Sequence, residues 1–199
     1  QTSYYLFNGI IMVLASFISF PIWTRTLSLT EYGIMSIATT TVTIIVTFSK
    51  FGIQHAILRF YSEFKEKKRQ EPISHFYTTA LMGSIYIGLL VCGIYILVVL
   101  LFFTKLESTL KSVLLLIAAI GYLDNVKAIC FMFLRAEQKA RPYSILGIIN
   151  KYGQLILSLF FVLFLKKGVV GYFWGFILMD VITSLSLLVT YYRQDKINL

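Results

Sequence analysis

Six runs of apolar residues, each of about 20 or more, fill most of this chain, and a helix needs about that many to cross a bilayer core. They fall at roughly 4–23, 32–60, 74–103, 109–134, 143–165 and 169–192. A strand pair in lipid would leave its edge N–H and C=O groups without partners, so each run is expected to be a helix. The second run exceeds the bilayer thickness. It is expected to tilt or to extend beyond the membrane, with Gly52 as a weak point. The expected class is an all-α integral membrane protein, with residues 1–199 forming one six-helix unit and no soluble domain. A charged fraction of 14% against an ordinary quarter, with mean hydropathy +0.79, fits the same class.

The net charge of +9 does not point to nucleic acid, because the cations sit in short clusters between the apolar runs. Arg59, Lys65, Lys67, Lys68 and Arg69 flank the second-third connection. Arg135, Lys139 and Arg141 occupy the fourth-fifth connection, and Arg193 and Lys196 the tail. These ten face five on the other side, namely Arg25, Lys105, Lys111, Lys166 and Lys167. The positive-inside rule places the richer side, and with it both termini, in the cytoplasm of a cell that carries the protein in its plasma membrane. Gln1 stands where a start Met would be, which agrees with a piece of a longer chain.

The apolar runs are interrupted in a patterned way. Ser36, Thr40, Thr43, Thr47, Lys50 and Gln54 recur at steps of three and four, which puts them on one side of a helix. A row of hydroxyls, an ammonium and an amide is expected to face other helices or water rather than lipid. The fourth run carries Asp124 and Lys127, the fifth Asn150, Lys151, Gln154 and Ser158, and the sixth Asp180, Thr183 and Ser184. At about 1.5 Å per residue, Asp180 lies close to mid-membrane, with Asp124, Lys127 and Lys151 toward the cytoplasm and Lys50 at the inner boundary. A charge at such depth costs ~2.5–3.5 kcal/mol on insertion scales, so these groups should pair or meet water. Two readings stay open. Asp180 with Lys127, or Asp124 with Lys151, forms register-fixing pairs while Lys50 snorkels. Alternatively, Lys50, Lys127 and Lys151, with Arg59 at the mouth, line one inward cationic cavity together with Thr40, Thr43, Thr47 and Gln54.

Two packing stripes carry no charge: Ala80, Ser84, Gly88 and Cys92 at steps of four, and the pair Gly171 and Gly175. Cys92 and Cys130 lie in apolar runs without ligand spacing, so neither a disulfide nor a metal site is expected. No HExxH, GxSxG or P-loop occurs. No catalytic residue, cofactor or enzymatic activity is expected.

Three stretches resemble the polysaccharide-biosynthesis membrane proteins, the lipid-linked oligosaccharide flippases of the multidrug/oligosaccharidyl-lipid/polysaccharide exporter superfamily. The first is Pro21-Ile22-Trp23-Thr24-Arg25-Thr26-Leu27 followed by Glu31-Tyr32-Gly33. The second is Phe51-Gly52-Ile53 with Ala56 and Arg59-Phe60. The third is Leu134-Arg135-Ala136 running through Gln138-Lys139-Ala140 to Tyr143-Ser144. The resemblance implies an N-terminal lobe of six helices, a second lobe facing it, and alternating access. It implies a polyprenyl-pyrophosphate-linked saccharide as cargo, membrane lipids around it and polysaccharide polymerase machinery as a partner. Lys50, Lys127, Lys151 and Arg59 would attract the pyrophosphate. Asp124 or Asp180 would bind a coupling proton or sodium ion. A cation-coupled drug antiporter of the same superfamily would want a more acidic cavity. A non-transporting scaffold of envelope synthesis would need only the structural ion pairs.

Overall fold

The computed structural model describes residues 2–66, 73–102 and 108–194. Seven helices follow one another: α1 Thr2–Thr26, α2 Leu29–Lys50, α3 Ile53–Glu66, α4 Ile73–Phe102, α5 Ser108–Ala136, α6 Ala140–Leu163 and α7 Gly168–Arg193. All but α3 are long and apolar enough to cross a membrane. The protein is therefore a multi-pass membrane protein, with six membrane-crossing helices among the described residues. The basic residues Lys67, Lys68, Arg69, Lys105 and Lys196 lie outside the described residues.

The second apolar run is two helices, not the single long one expected from the sequence. Phe51 (φ 35°) and Gly52 (φ 77°) are both left-handed. Glycine adopts that conformation freely, but Phe51 does so at a cost of roughly 1–2 kcal/mol. Helix α2 therefore stops at Lys50, and the chain turns into α3. Helix α3 lays Ile57 and the partly buried Ile53 and Tyr61 into the core beneath α4 and α5. The break also moves Gln54 off the hydroxyl stripe of α2.

Local chemistry fixes the opposite end. Ser28 caps α2, its side chain accepting from the Glu31 N–H at 3.3 Å, while the Glu31 carboxylate accepts from the Ser28 N–H at 3.0 Å. The other Glu31 oxygen accepts from the Val169 N–H at 3.3 Å, in the first turn of α7. One carboxylate thus ties the starts of two helices, where their exposed N–H groups favour negative charge. A Cβ on Gly168 would collide with that oxygen.

Helix α5 is central. It packs on α2, α3, α4, α6 and α7, whereas α1 rests chiefly on α6. Between membrane helices apolar burial gives little drive, so close backbone approach and van der Waals contact must hold the bundle. Both small-residue stripes serve that end. A Cβ on Gly175 would run into the backbone of Ser158, which marks the tight α6–α7 contact. On α4, Ser84 is fully buried and a Cβ on Gly88 would meet the Asn125 amide at 2.8 Å. Asn125 donates to the Ser84 carbonyl at 3.0 Å and to its hydroxyl at 2.9 Å, joining α5 to α4.

Two apolar cores result. One, around Trp23, Ile45, Ile117 and Phe173, lies toward the α1–α2 and α6–α7 turns. The other, around Ile57, Tyr77, Phe133 and Tyr191, lies toward α3 and the α5–α6 turn. There Tyr77 donates to the Glu137 carboxylate at 2.6 Å, and Lys139 pairs with the same group. The layer between the two cores is polar.

Candidate functional site

That layer is built from three helices. Lys127 comes from α5, Asn150 and Gln154 from α6, and Asp180 and Thr183 from α7; all five are buried. The Lys127 ammonium lies 2.5 Å from Asp180 Oδ1 and 2.5 Å from Asp124 Oδ1, one turn back on its own helix. Its third proton points at Asn150 Oδ1, 3.4 Å away. An ammonium has three donors, so Lys127 has none left over. Asp180 Oδ1 also accepts from Asn150 Nδ2 at 3.2 Å and from Gln154 Nε2 at 2.8 Å. Asn150 Nδ2 reaches Thr183 Oγ1 at 3.0 Å, and that hydroxyl donates to the Met179 carbonyl. Asp180 Oδ2 is buried and accepts no hydrogen bond among the described residues.

Helix geometry explains the convergence. Asn150 and Gln154 are one turn apart on the buried face of α6, and so are Asp180 and Thr183 on α7. Close α6–α7 packing at Gly175 and Ser158 brings those faces to hydrogen-bonding distance. Two carboxylates and one ammonium leave the group with one net negative charge. Of the two pairings open from the sequence, Lys127 with Asp180 forms, and Asp124 joins Lys127 rather than Lys151.

A cavity of about 230 Å³ opens against this network between α2, α5, α6 and α7. Thr39 and Thr43 of α2 face Asp124, Lys127, Gln154 and Asp180 across it, and Phe173 and Phe176 form much of its apolar wall. A second, small pocket of about 30 Å³ holds Lys151 with Ser19, Trp23 and Tyr172. Gln154 and Phe176 border both spaces and form the partition between them.

The residues expected to share one cationic cavity are distributed differently. Lys127 is locked between carboxylates, and Lys151 occupies the neighbouring pocket. Lys50 is the half-buried last residue of α2 and lines neither space. Arg59 is exposed on α3, 5.8 Å from the Phe60 ring. Gln54 is on α3, past the break that ends the stripe of α2, and lines neither space. Of the hydroxyls, Thr43 lines the larger cavity, while Ser36, Thr40 and Thr47 are exposed beside it. At about 100° per residue these hydroxyls lie roughly a quarter-turn from the exposed apolar line of Ile37, Ile44 and Phe48. The polar flank of α2 is thus distinct from its apolar outer face. Sequence reasoning missed Thr39, Phe173 and Phe176. Thr39 sits in a run of three threonines, and only the helix rotation separates it from Thr41.

The fold aligns with a solved structure titled as the outward-facing conformation of a multidrug resistance MATE family transporter of the MOP superfamily. The TM-score is 0.70 at 17% identity, over 96% of this chain and 44% of that one. The chain thus spans less than half the length of that transporter and has the architecture of one of its lobes. No curated protein sequence matches. The family model described as polysaccharide biosynthesis protein matches residues 1–199, so the chain belongs to the polysaccharide biosynthesis protein family.

Proposed function

We propose that the chain is one lobe of an alternating-access transporter that moves a polyprenyl-pyrophosphate-linked saccharide across the plasma membrane, with both termini cytoplasmic and a second six-helix lobe facing it. The observation that carries this reading is a polar cavity at the middle of a membrane-crossing bundle, in a chain matched throughout by a polysaccharide-biosynthesis family. A saccharide headgroup needs hydrogen-bonding walls away from lipid, while its polyprenyl tail stays in the bilayer. Lys151, half-buried and without a carboxylate partner among the described residues, supplies the available cation for the pyrophosphate. Asp124 and Asp180 are the candidate groups for a coupling proton or sodium ion, since no ATP-binding motif occurs in the sequence. Polysaccharide polymerase machinery would take the delivered product.

The test is made in cells that depend on the full protein for surface glycan. Lys151→Ala should abolish surface glycan at unchanged protein level, and Lys151→Arg should retain it. Normal glycan in the alanine variant overturns the reading. A cation-coupled drug antiporter is the second reading. It is favoured by the net negative charge of Asp124, Lys127 and Asp180, and by the multidrug transporter of like fold. Extrusion of a cationic dye with unchanged surface glycan on gene loss would decide for it.

A further inference from the structure

The larger cavity has a one-sided hydrogen-bonding capacity. All three Lys127 protons already point at acceptors. The hydroxyls of Thr39 and Thr43 donate back into their own helix, to the carbonyls of Ser36 and Thr39, both at 3.0 Å. Their oxygens therefore remain as acceptors only. Gln154 must aim its NH₂ at Asp180, because a carboxylate only accepts, and this leaves over its carbonyl and one of its two N–H donors. Asp180, whose buried Oδ2 accepts no hydrogen bond among the described residues, and Asp124, about a third exposed, border the same space. Apart from the second N–H of Gln154, every polar group that remains open in this cavity is an acceptor.

An acceptor-lined space selects a ligand that brings donors. Pyrophosphate has acceptors alone at its oxygens and carries negative charge, so it is repelled twice over. A bare monovalent ion would be drawn to the carboxylates. It would leave most of about 230 Å³ unfilled, a space several times the ~30 Å³ share of one water. It would also make no use of the aromatic wall. Phe176 is braced by Tyr172, ring centroids 4.8 Å apart, and its edge of the cavity is apolar. A pyranose ring matches both features. Its hydroxyls are donors around the rim, and its C–H face lies against the negative face of an aromatic ring.

We propose that this cavity is a subsite for one neutral sugar ring of the cargo, and that the pyrophosphate stays on the Lys151 side of the Gln154–Phe176 partition. The inference rests on the saccharide reading above and refines it. The Lys151 pocket, about 30 Å³, is too small to enclose a pyrophosphate and offers only the ammonium at its edge, across a shared wall from the acceptor-rich cavity. That is the order in which a sugar and its phosphate leaving group follow one another along a lipid-linked saccharide.

The test uses the purified full protein in nanodiscs, with methyl glucoside, inorganic pyrophosphate and sodium chloride as separate probes. Saturation-transfer NMR reads magnetisation passed to the glucoside ring protons. Wild type should show saturable transfer. Phe176→Leu, which keeps bulk but removes the ring, should weaken it about tenfold, equivalent to ~1.4 kcal/mol. Phe176→Trp should restore it. Thermal midpoints equal to wild type ensure that these variants report on binding. Pyrophosphate should leave the glucoside signal unchanged and should need Lys151. Absent transfer in wild type overturns the subsite, as does transfer indifferent to Phe176→Leu or displacement of glucoside by pyrophosphate. Displacement by sodium would identify a cation site instead. Ring binding without saccharide transport would leave the subsite standing and contradict the transport reading. Transport that ignores Phe176 would do the reverse.

Discussion

Replacing Lys127 by Met tests the polar layer most severely. The side chain keeps its length and loses its charge. In wild type the ammonium stands 2.5 Å from each of two carboxylates, and Asp180 is 1% exposed. Removal leaves Asp180 with amide donors from Asn150 and Gln154 but no counter-charge. Breaking a buried pair on one side costs about 3–5 kcal/mol. At ~1.4 kcal/mol per tenfold, that is a hundredfold to several-thousandfold shift in the folding equilibrium. A lost hydrogen bond between membrane helices is worth less, ~0.6 kcal/mol on average and ~1.7 at most. Gln154→Leu should therefore cost about 1 kcal/mol by the same measure. The assay is reversible unfolding in mixed micelles, followed by near-UV circular dichroism. In a double-mutant cycle, Lys127→Met with Asp180→Leu should recover much of the loss, because the buried charge is gone and only Asp124, about a third exposed, is left without its partner. A Lys127→Met variant within about 1 kcal/mol of wild type would refute the reasoning, since that is the scale of a hydrogen bond rather than of an ion pair. Strict additivity in the double mutant would refute it as well.

Further outcomes follow from the same geometry. Gly52→Ala puts a Cβ where φ is 77° and should cost about 1–2 kcal/mol, lowering the thermal midpoint of the bundle. Gly175→Ala forces the Ser158 backbone aside and should destabilise by ~1–3 kcal/mol, read as reduced monodisperse yield after heating. If the carboxylates couple transport to an ion, Asp124→Asn or Asp180→Asn should remove its dependence on a proton or sodium gradient in vesicles. Unchanged ion dependence in both would exclude them. Cys92 and Cys130 are buried, so a Cys introduced at exposed Gln138 in the α5–α6 turn gives a low-background label. A membrane-impermeant maleimide should reach it only from the cytoplasmic side. Labelling in intact cells would invert the proposed topology.

The spans were legible because a bilayer-crossing helix needs a long apolar run; five of the six lie within a few residues of those runs, and the second stops at Lys50 rather than Phe60. The stop at Lys50 was less legible. Gly52 was visible as a weak point, but the left-handed turn at Phe51 depends on α3 docking its apolar face under α5, which is tertiary. The buried charges were likewise visible as costly residues at mid-depth. Their partners were not, because depth along a helix leaves rotation about its axis undetermined. A rotation of about a third of a turn separates the Lys151 pocket from the Asn150 network, although the two residues are adjacent in sequence. The hydroxyl stripe includes Thr43, which borders the cavity. Residue type alone did not show that the hydroxyl protons of Thr39 and Thr43 turn into the helix.

The account stands on whether the complete protein moves a lipid-linked saccharide. Full-length protein is reconstituted into vesicles that carry a polyprenyl-pyrophosphate-linked saccharide, and a membrane-impermeant glycosidase reads the accessible fraction over time. The account predicts protein-dependent exchange of the inner pool, slowed by Lys151→Ala and by Phe176→Leu. Exchange no faster than in protein-free vesicles, under both proton and sodium gradients, would contradict it.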